Sequence, residues 1–105
     1  MRFLETSVCT KELRTLLADD EYRTLQTVLM LRPEQGPLIR GTGGLRKIRW
    51  GGKGKGKRGG FRVIYYWHRE TETFYMLFIY QKSEQEELTS SQRKLLASLV
   101  RKEFK

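Results

Sequence analysis

The stretch "FRVIYYWHRETETFYMLFIYQK", residues 61–82, decides the fold. Its first part alternates Phe61, Val63, Tyr65 and Trp67 against Arg62, Ile64, Tyr66 and His68. Its last part alternates Phe74, Met76, Phe78, Tyr80 and Lys82 against Tyr75, Leu77, Ile79 and Gln81. Successive side chains of a strand point to opposite faces, and β-branched and aromatic residues suit a half-buried pleat. Each run therefore predicts a strand. The "ETET" between them, residues 70–73, predicts the turn that makes them an antiparallel hairpin.

The neighbouring segments fit around this hairpin. "LRKIRW", residues 45–50, sets Leu45, Lys47 and Arg49 against Arg46, Ile48 and Trp50, and predicts a third strand. "RFLETS", residues 2–7, predicts a short first strand. Thr10 is the expected cap of a helix carrying Leu13, Leu16 and Leu17. Asp19 or Asp20 opens a second helix with Tyr22, Leu25, Val28, Leu29 and Arg32 at helical spacing, and Pro33 stops it. "EQGPLIRGTGG", residues 34–44, is a turn-rich connection with a short strand expected at 38–40. Thr89 with Gln92 three residues on forms a capping box, followed by a helix with the stripe Leu95, Leu96, Leu99 and Val100. The expected fold class is α+β: two N-terminal helices, a small twisted antiparallel sheet and a C-terminal helix.

At 105 residues the chain is read as a single domain, 1–105, with one core. No apolar run approaches the ~20 residues of a membrane span. The N-terminus "MRFLETSV" lacks the apolar centre of a signal peptide. Cys9 is the single cysteine, so no internal disulfide forms, and the expected location is the reducing cytoplasm. Cys9 itself reads as a small buried hydrophobe in the first turn of a helix. No Cys/His cluster has zinc-site spacing.

The net charge is +9, and all of the excess is local. Residues 40–69 hold ten of the 21 Lys and Arg and none of the 12 Asp and Glu. Gly51 to Gly60 alone contain four cations, Lys53, Lys55, Lys57 and Arg58, among six glycines. A cationic block interleaved with Tyr and Trp is the footprint of a nucleic-acid surface. A basic face kept only for solubility would not exclude acids over thirty residues. The loop fits the spacing of two phosphate-binding glycine motifs, but both need a strand before and a helix after, and here a strand follows. In a twisted hairpin, Arg62 at the start of one strand comes near Lys82 at the end of its partner. Arg62, Lys82, Tyr80 and the loop lysines then gather at one sheet end. His68 sits at the far end of its strand and reads as a surface residue.

"GTGGLRKIRW", "KGKRGGFRVIYYW" and "FIYQKSEQEELTSSQRK" together resemble the HigB-type branch of the RelE toxin superfamily, the toxins of type II toxin–antitoxin pairs. The likeness is strongest from Gly41 to Lys94. It implies the RelE-like fold, a ribosome-dependent endoribonuclease that cleaves mRNA and inhibits translation, no metal or other cofactor, and a cognate antitoxin, expected to be of helix-turn-helix type. It also assigns residues. The family's strand Lys and Arg match Lys47 and Arg49, its arginine in G-[FY]-R matches Arg62, and its basic residue after the last strand matches Lys82. Lys53, Lys55, Lys57 and Arg58 match its basic loop. Lys57, the loop lysine nearest in sequence to the Arg62 strand, is the loop residue expected to join the chemistry. Some relatives carry a catalytic tyrosine after the last strand. Here "SEQEEL", residues 83–88, has none, so Tyr80, Tyr66 or a lysine is left as the base.

The reaction this implies is attack of an mRNA 2′-hydroxyl on its own 3′ phosphodiester. With no carboxylate or second histidine expected at the site, lysines crowded by like charge must move the protons. Arginine, always charged, clamps phosphate. A non-catalytic RNA- or DNA-binding module would use the same patch, and a small basic ribosome-associated structural protein is a third reading.

Overall fold

The computed structural model describes residues 1–51 and 60–104. The elements are β1 (Arg2–Glu5), α1 (Ser7–Leu16), α2 (Asp19–Leu31), β2 (Arg46–Trp50), β3 (Phe61–His68), β4 (Thr73–Gln81) and α3 (Ser90–Phe104). The strands form one sheet in the order β1-β4-β3-β2. This is the α+β plan expected from the sequence, with one difference. The sheet is mixed: β1 runs parallel to β4, while β4, β3 and β2 are antiparallel. Thr6 explains how β1 docks. Its N–H donates to Met76 O and its hydroxyl to Leu77 O, both at 3.1 Å, so the end of β1 is fastened to β4.

Thr6 also accepts from Cys9 N–H at 3.0 Å and is the cap of α1. The expected cap, Thr10, already lies inside the helix, where its hydroxyl donates to Glu5 Oε1 and Thr6 O. Acidic residues Asp19, Asp20 and Glu21 fill the first turn of α2, where the helix dipole favours them. The segment 38–40 makes only an isolated bridge, Leu38 with Arg46, rather than a strand. Thr89 and Gln92 form the reciprocal capping box, each side chain accepting from the other's backbone N–H, at 3.1 and 2.9 Å.

The core lies on both faces of β3. On one face Val63, Tyr65, Phe74, Met76 and Ile79 pack against Cys9 and Leu13 of α1 and Leu25 and Leu29 of α2. On the other, Ile64, Leu77 and Tyr80 pack with Leu45, Leu88, Leu96 and Val100. Tyr65 ties the first face to the α2–β2 connection, donating to Pro33 O at 2.9 Å and accepting from Gly36 N at 3.1 Å. Gly36 has to be glycine, because a Cβ there would stand 2.9 Å from Lys47 O and 3.0 Å from the Tyr65 ring.

The strict alternation read for β4 fails at one point. Pairing passes from Tyr65 with Met76 to Ile64 with Phe78, leaving Leu77 as an extra residue. This bulge puts Leu77 and Phe78 on the same face and moves Ile79 to the other. In α3, Leu96, Ala97 and Val100 are buried, but Leu95, expected in the stripe, is 64 % exposed.

Candidate functional site

β2 and β3 pair with Arg49 directly opposite Arg62, and β3 and β4 pair with Arg62 directly opposite Tyr80. Lys47 lies two residues from Arg49, hence on the same face of β2. Lys82 follows β4, and its N–H donates to Gly60 O at 3.1 Å, which holds it beside the start of β3. Gly60 approaches Trp50 O so closely that a Cβ would lie 2.8 Å away, so the chain enters β3 tightly against the end of β2. The result is an open cavity of about 350 Å³ lined by Pro37, Lys47, Arg49, Arg62, Lys82, Glu86 and Glu87.

Four cations expected from the sequence, Lys47, Arg49, Arg62 and Lys82, therefore share one cavity. The four loop cations, Lys53, Lys55, Lys57 and Arg58, lie outside the described residues. Tyr80 does not line the cavity. It is packed behind it in the second core, only 5 % exposed, and its hydroxyl has no hydrogen-bond partner among the described residues. Burial raises its pKa and the Glu87 carboxylate adds to this, against the opposing charge of Arg62. The Tyr80 hydroxyl thus keeps its proton at neutral pH. Tyr66 packs in the second core away from the cavity, its pKa also raised by burial. His68 is at the other end of β3, where it contacts Thr71 at 2.8 Å and Glu70 at 3.1 Å.

Arg62 is the unusual member. It is 5 % exposed, and its Nη1 donates to Phe61 O at 3.3 Å. Among the described residues no carboxylate pairs with it. Like charges directly opposed across strands are destabilising, and a buried charge without a partner costs several kcal/mol. An arrangement that sets Arg62 against Arg49 favours an anion between them. Arginine forks match phosphate oxygens bidentately, and the flanking lysines add point charges.

The sequence reading missed Glu86 and Glu87. It took the site to be free of carboxylates because residues 40–69 contain none. The two acids reach the cavity from outside that block, four and five residues beyond Lys82. The signal was present in "KSEQEEL": a chain leaving Lys82 for a helix at Ser90 has to pass the same sheet end.

No protein-family model matches the chain. Among solved structures it resembles a mutant of the Escherichia coli toxin RelE in the free state, with a TM-score of 0.58 and 17% sequence identity. The match covers 81% of this chain and 86% of that one. The chain thus has the RelE-like fold, and at one end of its sheet Lys47, Arg49, Arg62 and Lys82 surround a single cavity.

Proposed function

We propose that this chain is the toxin of a type II toxin–antitoxin pair, of HigB type, acting as a ribosome-dependent endoribonuclease on mRNA. The observation that carries the reading is the opposed pair Arg49 and Arg62, with Arg62 buried and unpaired by any carboxylate among the described residues. The RelE-like fold, which presents this pair at a sheet end, supports it.

In the proposed reaction Arg62 and Arg49 hold the non-bridging oxygens of the scissile phosphate. Charge builds there as the 2′-oxygen bonds to phosphorus, and preorganised cations stabilise that charge more than the ground state. Lys82 gives its proton to the departing 5′-oxygen. Lys47 holds the neighbouring phosphate. Tyr80, behind Arg62, restricts how that side chain can move. Lys53, Lys55, Lys57 and Arg58 are assigned to binding the RNA backbone, and Lys57 to the chemistry as well. The positive field calls for no metal ion, and the mechanism uses no cofactor. The partners are the ribosome with its mRNA and a cognate antitoxin of helix-turn-helix type, which implies a cytoplasmic setting.

The test is incubation of the purified chain with a defined mRNA, free and on programmed ribosomes. Cleavage only on the ribosome, leaving a 2′,3′-cyclic phosphate and a 5′-hydroxyl, is the expected result. Tight RNA binding without cleavage in either sample would make the chain a non-catalytic binding module.

A further inference from the structure

We infer that Glu87, on the connection between β4 and α3, takes the proton from the attacking 2′-hydroxyl, with Glu86 on the same wall as a bystander. This rests on the endoribonuclease reading above and supplies the base which that reading lacks.

The cavity needs a proton acceptor, and its cations cannot provide one while they hold phosphate. Arginine does not deprotonate, and a lysine that binds phosphate does so as the ammonium ion. Tyr80 keeps its proton, since burial and the nearby Glu87 charge both raise its pKa. His68 is engaged with Thr71 and Glu70 at the opposite end of β3. Among the described residues lining the cavity, Glu86 and Glu87 are the side chains able to accept.

Glu87 is also the better held of the two. Glu84 N and Gln85 N donate to Gln81 O, which folds the connection back at the strand end. The Gln85 side chain donates to Glu87 O and to Gln92 Oε1, both at 2.9 Å. The same Gln92 oxygen accepts from Thr89 N. Leu88, the next residue, is buried in the second core. The Glu87 backbone is therefore fixed from both sides while its side chain is exposed at the cavity. Neither Glu86 nor Glu87 closes into an ion pair with a cavity cation. The carboxylates and the cations line one cavity of about 350 Å³, which a phosphate group can enter.

The step balances. The O2′–P bond forms as the 2′-proton passes to the Glu87 carboxylate. The P–O5′ bond breaks as the 5′-oxygen takes a proton from the Lys82 ammonium. The products are a 2′,3′-cyclic phosphate and a 5′-hydroxyl, and both side chains recover their protonation states from solvent. Lys47 and Arg49 from β2, Arg62 from β3, Tyr80 from β4, Lys82 and Glu86 are the titratable and charged groups that face the carboxylate. The base must be ionised to work, so the cleavage rate is expected to fall in acid.

The experiment compares wild type, Glu86→Gln and Glu87→Gln by single-turnover cleavage of ribosome-bound mRNA across a pH series. A second measurement is binding to an RNA carrying 2′-deoxy at the scissile position. Glu87→Gln is expected to lose ~10²–10⁴ in rate and the acidic limb of the profile, as removal of a general base does. Its binding of the deoxy RNA should be unchanged or tighter, because a negative charge has gone. Glu86→Gln should retain both rate and limb. Wild-type cleavage with the limb intact in Glu87→Gln, a transfer of the defect to Glu86→Gln, or parallel loss of binding and cleavage would each overturn the assignment. Failure of the underlying reading looks different: wild type itself would leave ribosome-bound mRNA whole, and the assignment falls with it.

Discussion

Arg62 is where folding and chemistry pull against each other. A strand that needed only to pack would place an apolar residue there, since the flanking Phe61, Val63 and Ile64 are all buried. Replacing Arg62 with Gln keeps a stem and a donor for Phe61 O but removes the charge facing Arg49. If the chain is the proposed endoribonuclease toxin, growth arrest on expression should be lost, with a fall of ~10²–10³ in cleavage rate, as for loss of one preorganised donor. The melting temperature should hold or rise, because the like-charge opposition ends. A folded Arg62→Gln chain that still arrests growth would remove Arg62 from the mechanism. Cys9 shows the opposite case, a reactive group made inert by packing. Burial, with the carboxylates of Glu5 and Glu12 adding, pushes its thiol from 9.0 up to about 12. The folded state binds that proton more tightly than the unfolded chain, so the stabilisation is complete below pH 9.0 and is lost as pH rises toward and through about 12. Over that window the wild type should lose stability more steeply than Cys9→Ala, by at most about 1.4 kcal/mol per pH unit. Denaturant titrations of the two chains at matched pH values would measure the difference, and parallel curves would refute it.

Among the elements, β4 and α3 show how far periodicity carries. The alternation of β4 was legible from Phe74 to Met76, and then the bulge at Leu77 exchanged the faces of Phe78 and Ile79. Nothing local announces that extra residue. In α3 the capping box fixed the start of the helix, but four candidate apolar residues exceed what one side of it can bury. Leu95 faces outward. Leu95→Ser should therefore shift stability by no more than about 0.5 kcal/mol, in line with exposed substitutions. Leu96→Ala, in the second core, should cost about 2–5 kcal/mol. Urea unfolding would separate them, and similar midpoints for the two variants would mean that α3 is rotated from this arrangement.

For the molecule as a whole, the local charge excess becomes a directed one. Residues 40–69 carry the cations along the chain, and the pairing of β2, β3 and β4 turns part of that block to one sheet end. A surface of this kind binds a single-stranded backbone through counterion release, with a log–log salt slope of about −0.7 per phosphate contact. Lys47→Gln with Arg49→Gln should flatten the slope of RNA binding by about 1.4. The double variant should fold normally, because Arg49 is exposed and Lys47 is half-buried. An unchanged slope would mean that the cavity does not meet phosphates.

The sequence by itself determined the element order, the β3–β4 hairpin, the final capping box and the cationic character of the sheet end. These follow from patterns that local residues carry: period two, period 3.6, capping side chains and a block of one charge sign. It also placed Arg62 near Lys82 at one sheet end, because a hairpin with a short turn fixes which strand ends meet. Tertiary structure alone decided the parallel docking of β1, which depends on Thr6 reaching Met76 and Leu77 across seventy residues. It also decided that Arg49 opposes Arg62, a register set by both cores rather than by either strand. And it alone brought Glu86 and Glu87 into a cavity that the sequence presented as purely basic. Charge read along a chain counts neighbours in sequence, whereas a site is made of neighbours in space, and here the connection to α3 folds its acids back over the cations.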